Sequence, residues 1–277
     1  MAMHPSHSIP TAQSARESTN MAKLFDTHAH YTDEKLFGNE ELLRQILSDD
    51  VGYILSAAVN AQDSEKCADL AASHDGIYAS AGIHPEEISG ISDISAEVAK
   101  LERTLARDKV VALGEIGLDY YWDKTYIEEQ KKLFEFQMNL AAEAGLPVLI
   151  HDREAHGDTF DIIKKFEGKV KGVMHSYSGH AELAREYVKM GWYISFSGVI
   201  TFKNAHKAVE SARAVQLDRI LIETDCPYLA PVPMRGKMNH SGYLHHTANF
   251  TADTLGIDRE AFAEITTQNA KTLFGIK

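Results

Sequence analysis

Two histidines, His28 and His30, stand two positions apart in DTHAHYTD, just after the apolar segment that begins at Lys23. Side chains two residues apart in an extended strand share a face, so both imidazoles can chelate one cation. Alone the pair says little, because a chain with 14 histidines supplies roughly one such spacing by chance. Its weight comes from four distant residues that also end short apolar runs: Glu115 in KVVALGE, His151 in LPVLIH, His175 in VKGVMH and Asp225 in RILIETD. All four residue types ligate divalent metals. A carboxylate such as Glu115 offers two oxygens and can bridge two ions about 4 Å apart, the arrangement that clamps the attacking and leaving oxygens during hydrolysis. Asp225 can both ligate and take a proton from water, which makes it the candidate general base. Glu223 should share its facing along the strand and is the weaker candidate.

These ligands need a scaffold that gathers strand ends. Apolar β-type runs occur at 23–26, 51–59, 76–83, 109–115, 146–151, 170–175, 191–199 and 219–225, and each is followed by helix-compatible sequence. The plainest helix is 125–144, where Ile127, Leu133, Phe134, Phe136, Met138 and Leu140 can form an apolar face and Gly145 ends it. Alternating strands and helices in this number predict an α/β fold, a single (β/α)8 TIM barrel, whose active groups lie at the C-terminal ends of the strands. An open doubly wound sheet is the competing architecture. It usually carries a glycine-rich turn after its first strand, and DTHAHYTD stands there instead.

Composition narrows the class further. The chain has 277 residues, 44% hydrophobic and 25% charged, which excludes disorder or coiled coil as a description of the whole. Residues 1–20, rich in Ser, Pro and Thr, are expected to form a disordered tail, and 21–277 to be one domain. No apolar stretch reaches a bilayer-spanning length and no secretory leader is visible, so a cytoplasmic, membrane-free protein is expected. The two cysteines cannot build a disulfide framework. Forty acidic against 28 basic side chains give a net charge of −12, so any nucleic acid must be gripped locally rather than by the whole surface.

The blocks DTHAH, GIHP, GEIGLDYYW, IHDREAHGDT, HSYSG and ETDCPYLAPVPMRGKMNHSGYL, in that order, resemble the TatD family of metal-dependent deoxyribonucleases. The resemblance runs from about Lys23 to Phe274. It implies one divalent cation held by His28, His30, Glu115 and Asp225, and a second held by Glu115, His151 and His175. It further implies a metal-dependent hydrolase acting on nucleic acid, as a 3′-to-5′ exonuclease on DNA or RNA. D-aminoacyl-tRNA deacylation, or other ester or amide hydrolysis, is the enzymatic alternative. A metal-stabilised binding protein without turnover is the non-enzymatic one. Four imidazoles favour zinc, manganese or iron, with magnesium recruited by carboxylate and phosphate.

Other residues above the expected barrel mouth have less specific signals. His84 in GIHP, Arg153 and His156 after His151, and Arg235 and Lys237 in PVPMRGKMNH are the candidate substrate contacts. The aromatic cluster of Tyr120, Tyr121 and Trp122 beside Asp119 reads as packing between barrel and helices more readily than as a base-stacking platform. Alternation turns Cys226 away from the metals as a buried thiol, and His240, His245 and His246 are placed on the surface.

Overall fold

The computed structural model describes residues 23–277; the expected tail at 1–20 and the start of the domain at Met21 lie outside the described residues. Eight parallel strands follow one another around a single sheet in sequence order. They are β1 (Leu24–Ala29), β2 (Val51–Ser56), β3 (Ile77–Ala81), β4 (Val110–Asp119), β5 (Val148–Arg153), β6 (Gly172–Met174), β7 (Tyr193–Phe196) and β8 (Ile220–Ile222). Among the described residues ten α-helices accompany the sheet: α1 (Glu40–Ser48), α2 (Ala61–Ser73), α3 (Ile94–Ala99), α4 (Leu101–Leu105), α5 (Ile127–Ala144), α6 (His156–Lys164), α7 (Ala181–Lys189), α8 (His206–Ala214), α9 (Leu244–Leu255) and α10 (Arg259–Phe274). The (β/α)8 barrel expected from the sequence is the fold found. No helix among the described residues is long and apolar enough to cross a membrane.

The last strand is shorter than the apolar run suggests. Its ladder with β7 stops at Ile222, and Asp225, expected at the end of the strand, takes a left-handed backbone with φ 58°. The turn around Asp225 closes the barrel against β1. The Asp225 amide donates to the His28 carbonyl at 2.9 Å, and the His30 amide donates to the Cys226 carbonyl at 2.8 Å. Closure thus places the two ends that carry candidate ligands side by side.

The barrel interior is apolar at its base. Phe25, Leu55, Ala112, Leu149, Val173, Tyr193 and Leu221 pack together there with Ala270, Leu273 and Phe274 of α10, which plugs the end opposite the ligands. A second apolar layer lies between strands and helices. In α5 this layer departs from the simple stripe, because Phe136 is 46% exposed while Gln130 and Gln137 are buried. Both glutamines finish strand ladders. Gln137 accepts from the Ile83 amide at 2.8 Å and donates to its carbonyl at 2.9 Å, and Gln130 does the same for Asp119 at 3.0 Å in each direction. A helix side chain therefore anchors the backbone beside His84 and at Asp119, satisfying groups that no neighbouring strand reaches.

Close packing of strand backbones explains one glycine in particular. Gly117 lies in β4 with φ +141°, and a Cβ there would collide with the His151 carbonyl oxygen. Gly145 also has a positive φ, +67°, as it ends α5, but a Cβ there meets nothing within 4 Å. Gly117→Ala is therefore expected to lower stability by about 3 kcal/mol or more, combining backbone strain with a clash. Gly145→Ala should cost about 1 kcal/mol from backbone strain alone. Urea unfolding of the two variants checks the difference, and equal losses would contradict it.

Candidate metal centre

Two strand irregularities aim ligands into the barrel mouth. Phe25 and Ala112 belong to the interior cluster, so strict alternation would turn His28 and Glu115 outward. The β1–β2 ladder shifts register between Asp26 and Ala29, and the β4–β5 ladder shifts between Leu113 and Ile116. Both shifts reset the alternation, as bulges do. His28 and Glu115 consequently face one another inside, with His28 Nε2 3.2 Å from Glu115 Oε2.

Four donor atoms surround one point. His30 Nε2 lies 3.3 Å from His28 Nε2 and 3.7 Å from Glu115 Oε2. Asp225 Oδ1 lies 3.3 Å from His30 Nε2 and 4.0 Å from His28 Nε2. Donors bound about 2.1 Å from a tetrahedral cation stand about 3.4 Å apart, and the separations in this set, from 3.2 to 4.0 Å, lie around that value. A second set uses the other oxygen of Glu115. His151 Nδ1 and His175 Nε2 lie 2.8 and 2.9 Å from Oε1 and 3.4 Å from each other. These three donors leave one side toward the cleft. The six residues singled out in the sequence are thus brought together; ligand atoms lie within 4.8 Å of one another in the groups His28, His30 and Asp225, His28, His175 and Glu223, and His84, Glu115 and His151.

The outward nitrogens are tied down by groups with little or no sequence signal. His151 Nε2 meets Asp119 Oδ2 at 2.9 Å, His175 Nδ1 meets Glu223 Oε1 at 3.1 Å, and His30 Nδ1 meets the Ala57 carbonyl at 3.0 Å. Glu223 also accepts from the Ser176 amide at 2.7 Å, so it faces His175 rather than sharing Asp225's position. Asp119, which in the sequence stands out only as part of an aromatic cluster, proves to be a partner of His151. The chain around Asp225 is held in turn by Asp26, which accepts from the Thr224 amide at 2.9 Å and its hydroxyl at 2.6 Å.

Electrostatics follow from crowding. Burial works to raise the Glu115 carboxyl, but His175, His28 and His84 around it hold it well below the usual carboxylate range. Asp225 is likewise opposed by burial, and the hydrogen bond with His30 brings it below its ordinary value. Burial pushes His28 down, whereas at His30 burial is outweighed by contact with Asp225 and Glu115, which lifts it to about 9.

The centre opens into a cleft of about 650 Å³ whose walls include Thr32, Asp33, Asp63, Glu86, Glu87, Trp122, Arg153, Tyr228 and Leu229. His84 and Arg153 line it, and His84 Nε2 approaches Glu115 Oε1 to 3.5 Å. His156, Arg235 and Lys237 do not. His156 is held by Asp152 at 2.8 Å at the start of α6, Arg235 lies 3.9 Å over the Phe202 ring, and Lys237 is turned toward Met234. Two further expectations change. Tyr121 and Trp122 are 48% and 65% exposed at the cleft edge, where they pack against the Arg153 guanidinium rather than between barrel and helices. His240, His245 and His246 are half-buried, with His240 packed on Tyr243. Cys226 is fully buried, and burial drives its thiol pKa upward.

Residues 25–275 match the family described as TatD related DNase. The chain is 41% identical over 256 residues to YabD of Bacillus subtilis, named as an uncharacterized metal-dependent hydrolase, covering 91% of this chain and 99% of that one. It is 36% identical over 260 residues to the similarly named YcfH of Escherichia coli K12, covering 91% and 96%. Among solved structures, the TatD homologue YjjV of E. coli K12 superimposes with a TM-score of 0.87 at 28% identity, covering 92% of this chain and 99% of that one. An organophosphorus hydrolase variant from Deinococcus radiodurans shares the fold at 14% identity, with a TM-score of 0.61 and coverage of 92% and 93%. With a family match across nearly the whole barrel, the chain belongs to the TatD family of metal-dependent hydrolases.

Proposed function

We propose that this chain hydrolyses phosphodiester bonds in nucleic acid at a centre of two divalent cations, working as a 3′-to-5′ exonuclease in the cytoplasm. The observation carrying the reading is the division of Glu115, whose Oε2 belongs to the His28, His30 and Asp225 set and whose Oε1 belongs to the His151 and His175 set. Such cations supply Lewis acidity toward a phosphoryl oxygen and make water acidic enough to react near neutral pH. The imidazole-rich donors favour zinc, manganese or iron, with magnesium as an alternative.

The protein's own residues divide the remaining work. Asp225 is part-exposed to the cleft and accepts the proton of the attacking water as its oxygen bonds to phosphorus. The P–O ester bond breaks on the far side, where the departing oxygen takes a proton from solvent in the cleft, and Asp225 returns its own proton to water afterwards. Glu115 stays buried and ionised, holding both donor sets in register. Asp119 and Glu223 fix the ring orientations of His151 and His175. Arg153, backed by Tyr121 and Trp122, offers its donor fork to substrate phosphate, and His84 reaches the reacting group beside Glu115.

The acidic cleft wall of Asp33, Asp63, Glu86 and Glu87 favours a second reading, since it would attract the ammonium of an aminoacyl ester. Under that reading the enzyme removes D-amino acids from tRNA. Hydrolysis of 3′-labelled single-stranded DNA against release from D-aminoacyl-tRNA, under one metal condition, separates the two. Release of the amino acid with intact DNA would overturn the nuclease proposal.

Asp225→Asn and Glu115→Ala should each lower turnover at least about a hundredfold while preserving the fold. Near-normal hydrolysis by either purified variant, after metal is stripped and restored, would contradict the role assigned to that carboxylate. Asp119→Ala should weaken cation binding by about 10- to 100-fold, the usual effect of losing a partner that orients a ligand. Titration against a fluorescent chelator measures this, and an unchanged affinity would remove Asp119 from the centre.

A further inference from the structure

The cationic residues left out of the cleft are gathered beside it. The turn after β7 and the loop after β8 pack on each other at the barrel mouth, where the Val232 amide donates to Thr201 Oγ1 at 2.8 Å. Leu229 of that loop walls the cleft, while Thr201 and Phe202 of that turn wall a neighbouring groove of about 360 Å³. The groove is also lined by Lys203, His206, Arg213 and Phe250, with a single acid, Glu210. Arg235 covers Phe202 from the loop side. Lys207 extends the positive surface toward His156, whose protonation its charge opposes.

Three features distinguish this surface. Lys203, Lys207, Arg213, Arg235 and Lys237 are exposed and form no ion pair among the described residues, a state shared by Lys132, Lys169 and Lys171 elsewhere, and what sets this group apart is that Lys203 and Arg213 line one groove and Arg235 covers its Phe202 wall. It lies in a chain of net charge −12, so the clustering is not a general excess of base. The cleft itself carries the opposite sign on the walls formed by Asp33, Asp63, Glu86 and Glu87. A polyanion with one phosphate at the centre is repelled across those walls and attracted across the groove. Phe202 and Phe250 offer ring faces between the cations, the combination that binds single strands without reading sequence.

We propose that this groove is a docking track for the remainder of a single-stranded nucleic-acid substrate, from the phosphates next to the scissile one onward. The inference rests on the nuclease reading and adds the path of the strand to it. The track sets affinity for long substrates and leaves the bond-breaking step untouched.

The test measures anisotropy of a fluorescent 20-nucleotide phosphorothioate strand, which resists cleavage, with metal-loaded protein at two salt concentrations. The groove variant carries Lys203→Glu, Arg213→Glu and Arg235→Glu; a control carries Lys132→Glu, Lys169→Glu and Lys171→Glu for the same change in net charge. The groove variant is expected to bind at least tenfold more weakly than the control, with a logarithmic salt slope shallower by about 2. Hydrolysis of bis-p-nitrophenyl phosphate should be unchanged in both. Arg235→Ala alone, on an exposed loop, keeps the test independent of α8 folding and should weaken binding severalfold. Equal binding by groove and control variants, or unchanged binding by Arg235→Ala, would overturn the track. Loss of phosphodiester hydrolysis from the wild type itself would instead overturn the proposed function, because strand binding is read separately.

Discussion

Glu115 is a carboxylate with almost no solvent, surrounded by imidazoles on both oxygens. Burying a charge is strongly unfavourable unless it is paired and hydrogen-bonded. The pairing here is reciprocal. Each histidine that points at Glu115 is buried or half-buried as well. Protons can satisfy some of these contacts, but like-charged imidazoles then crowd one another: His28 and His175 stack with ring centroids 4.0 Å apart. Divalent cations would answer the same demand while leaving the rings neutral. The rest of the barrel serves to hold this arrangement against its own repulsions.

That support comes from opposite ends of the chain. Asp225 reaches the centre only because the barrel closes, with the Asp26 carboxylate holding Thr224 and β1 carbonyls and amides holding the turn. A left-handed conformation at a non-glycine residue is unfavourable in isolation, though aspartate tolerates it better than most. Here several hydrogen bonds fix it. On the other side of the mouth, α5 supplies Gln130 and Gln137 to complete the backbone around Asp119 and Ile83. Stability of the outer layer and placement of the inner ligands are therefore one problem, solved by the same side chains.

This coupling explains which features the sequence can disclose. His151 follows Leu149 and His175 follows Val173 on the same strand face, so plain alternation leads from the interior cluster to each ligand. His28 and Glu115 are different. Their inward facing depends on register shifts that no alternation pattern records, and only residue type and position at the ends of apolar runs mark them. Closure after Ile222 is hidden for a related reason: Glu223, Thr224 and Asp225 follow with no glycine or proline to mark the strand's end, and tertiary hydrogen bonds to β1 decide where the ladder stops. Asp119 and Glu223 have no distinguishing local signal, since a carboxylate that orients a ligand and one that is merely solvated look alike before folding. Trp122 departs from expectation because an aromatic residue near apolar strands usually packs inward; contact with Arg153 and Tyr121 keeps it at the edge instead.

The charge distribution at the mouth links the centre to its choice of substrate. Two divalent ions would contribute about +4 and the Glu115 and Asp225 carboxylates about −2, leaving the floor of the cleft positive. The surrounding acids Asp33, Asp63, Glu86 and Glu87 face a phosphate chain with repulsion on one flank. Under the proposed nuclease reading, a substrate anion would be drawn to the floor only when cations are present, and its continuing chain would be directed toward the basic groove. On that reading, selectivity would come less from attraction over the whole surface, which a net charge of −12 opposes, than from the direction in which a polyanion could leave the centre without meeting like charge.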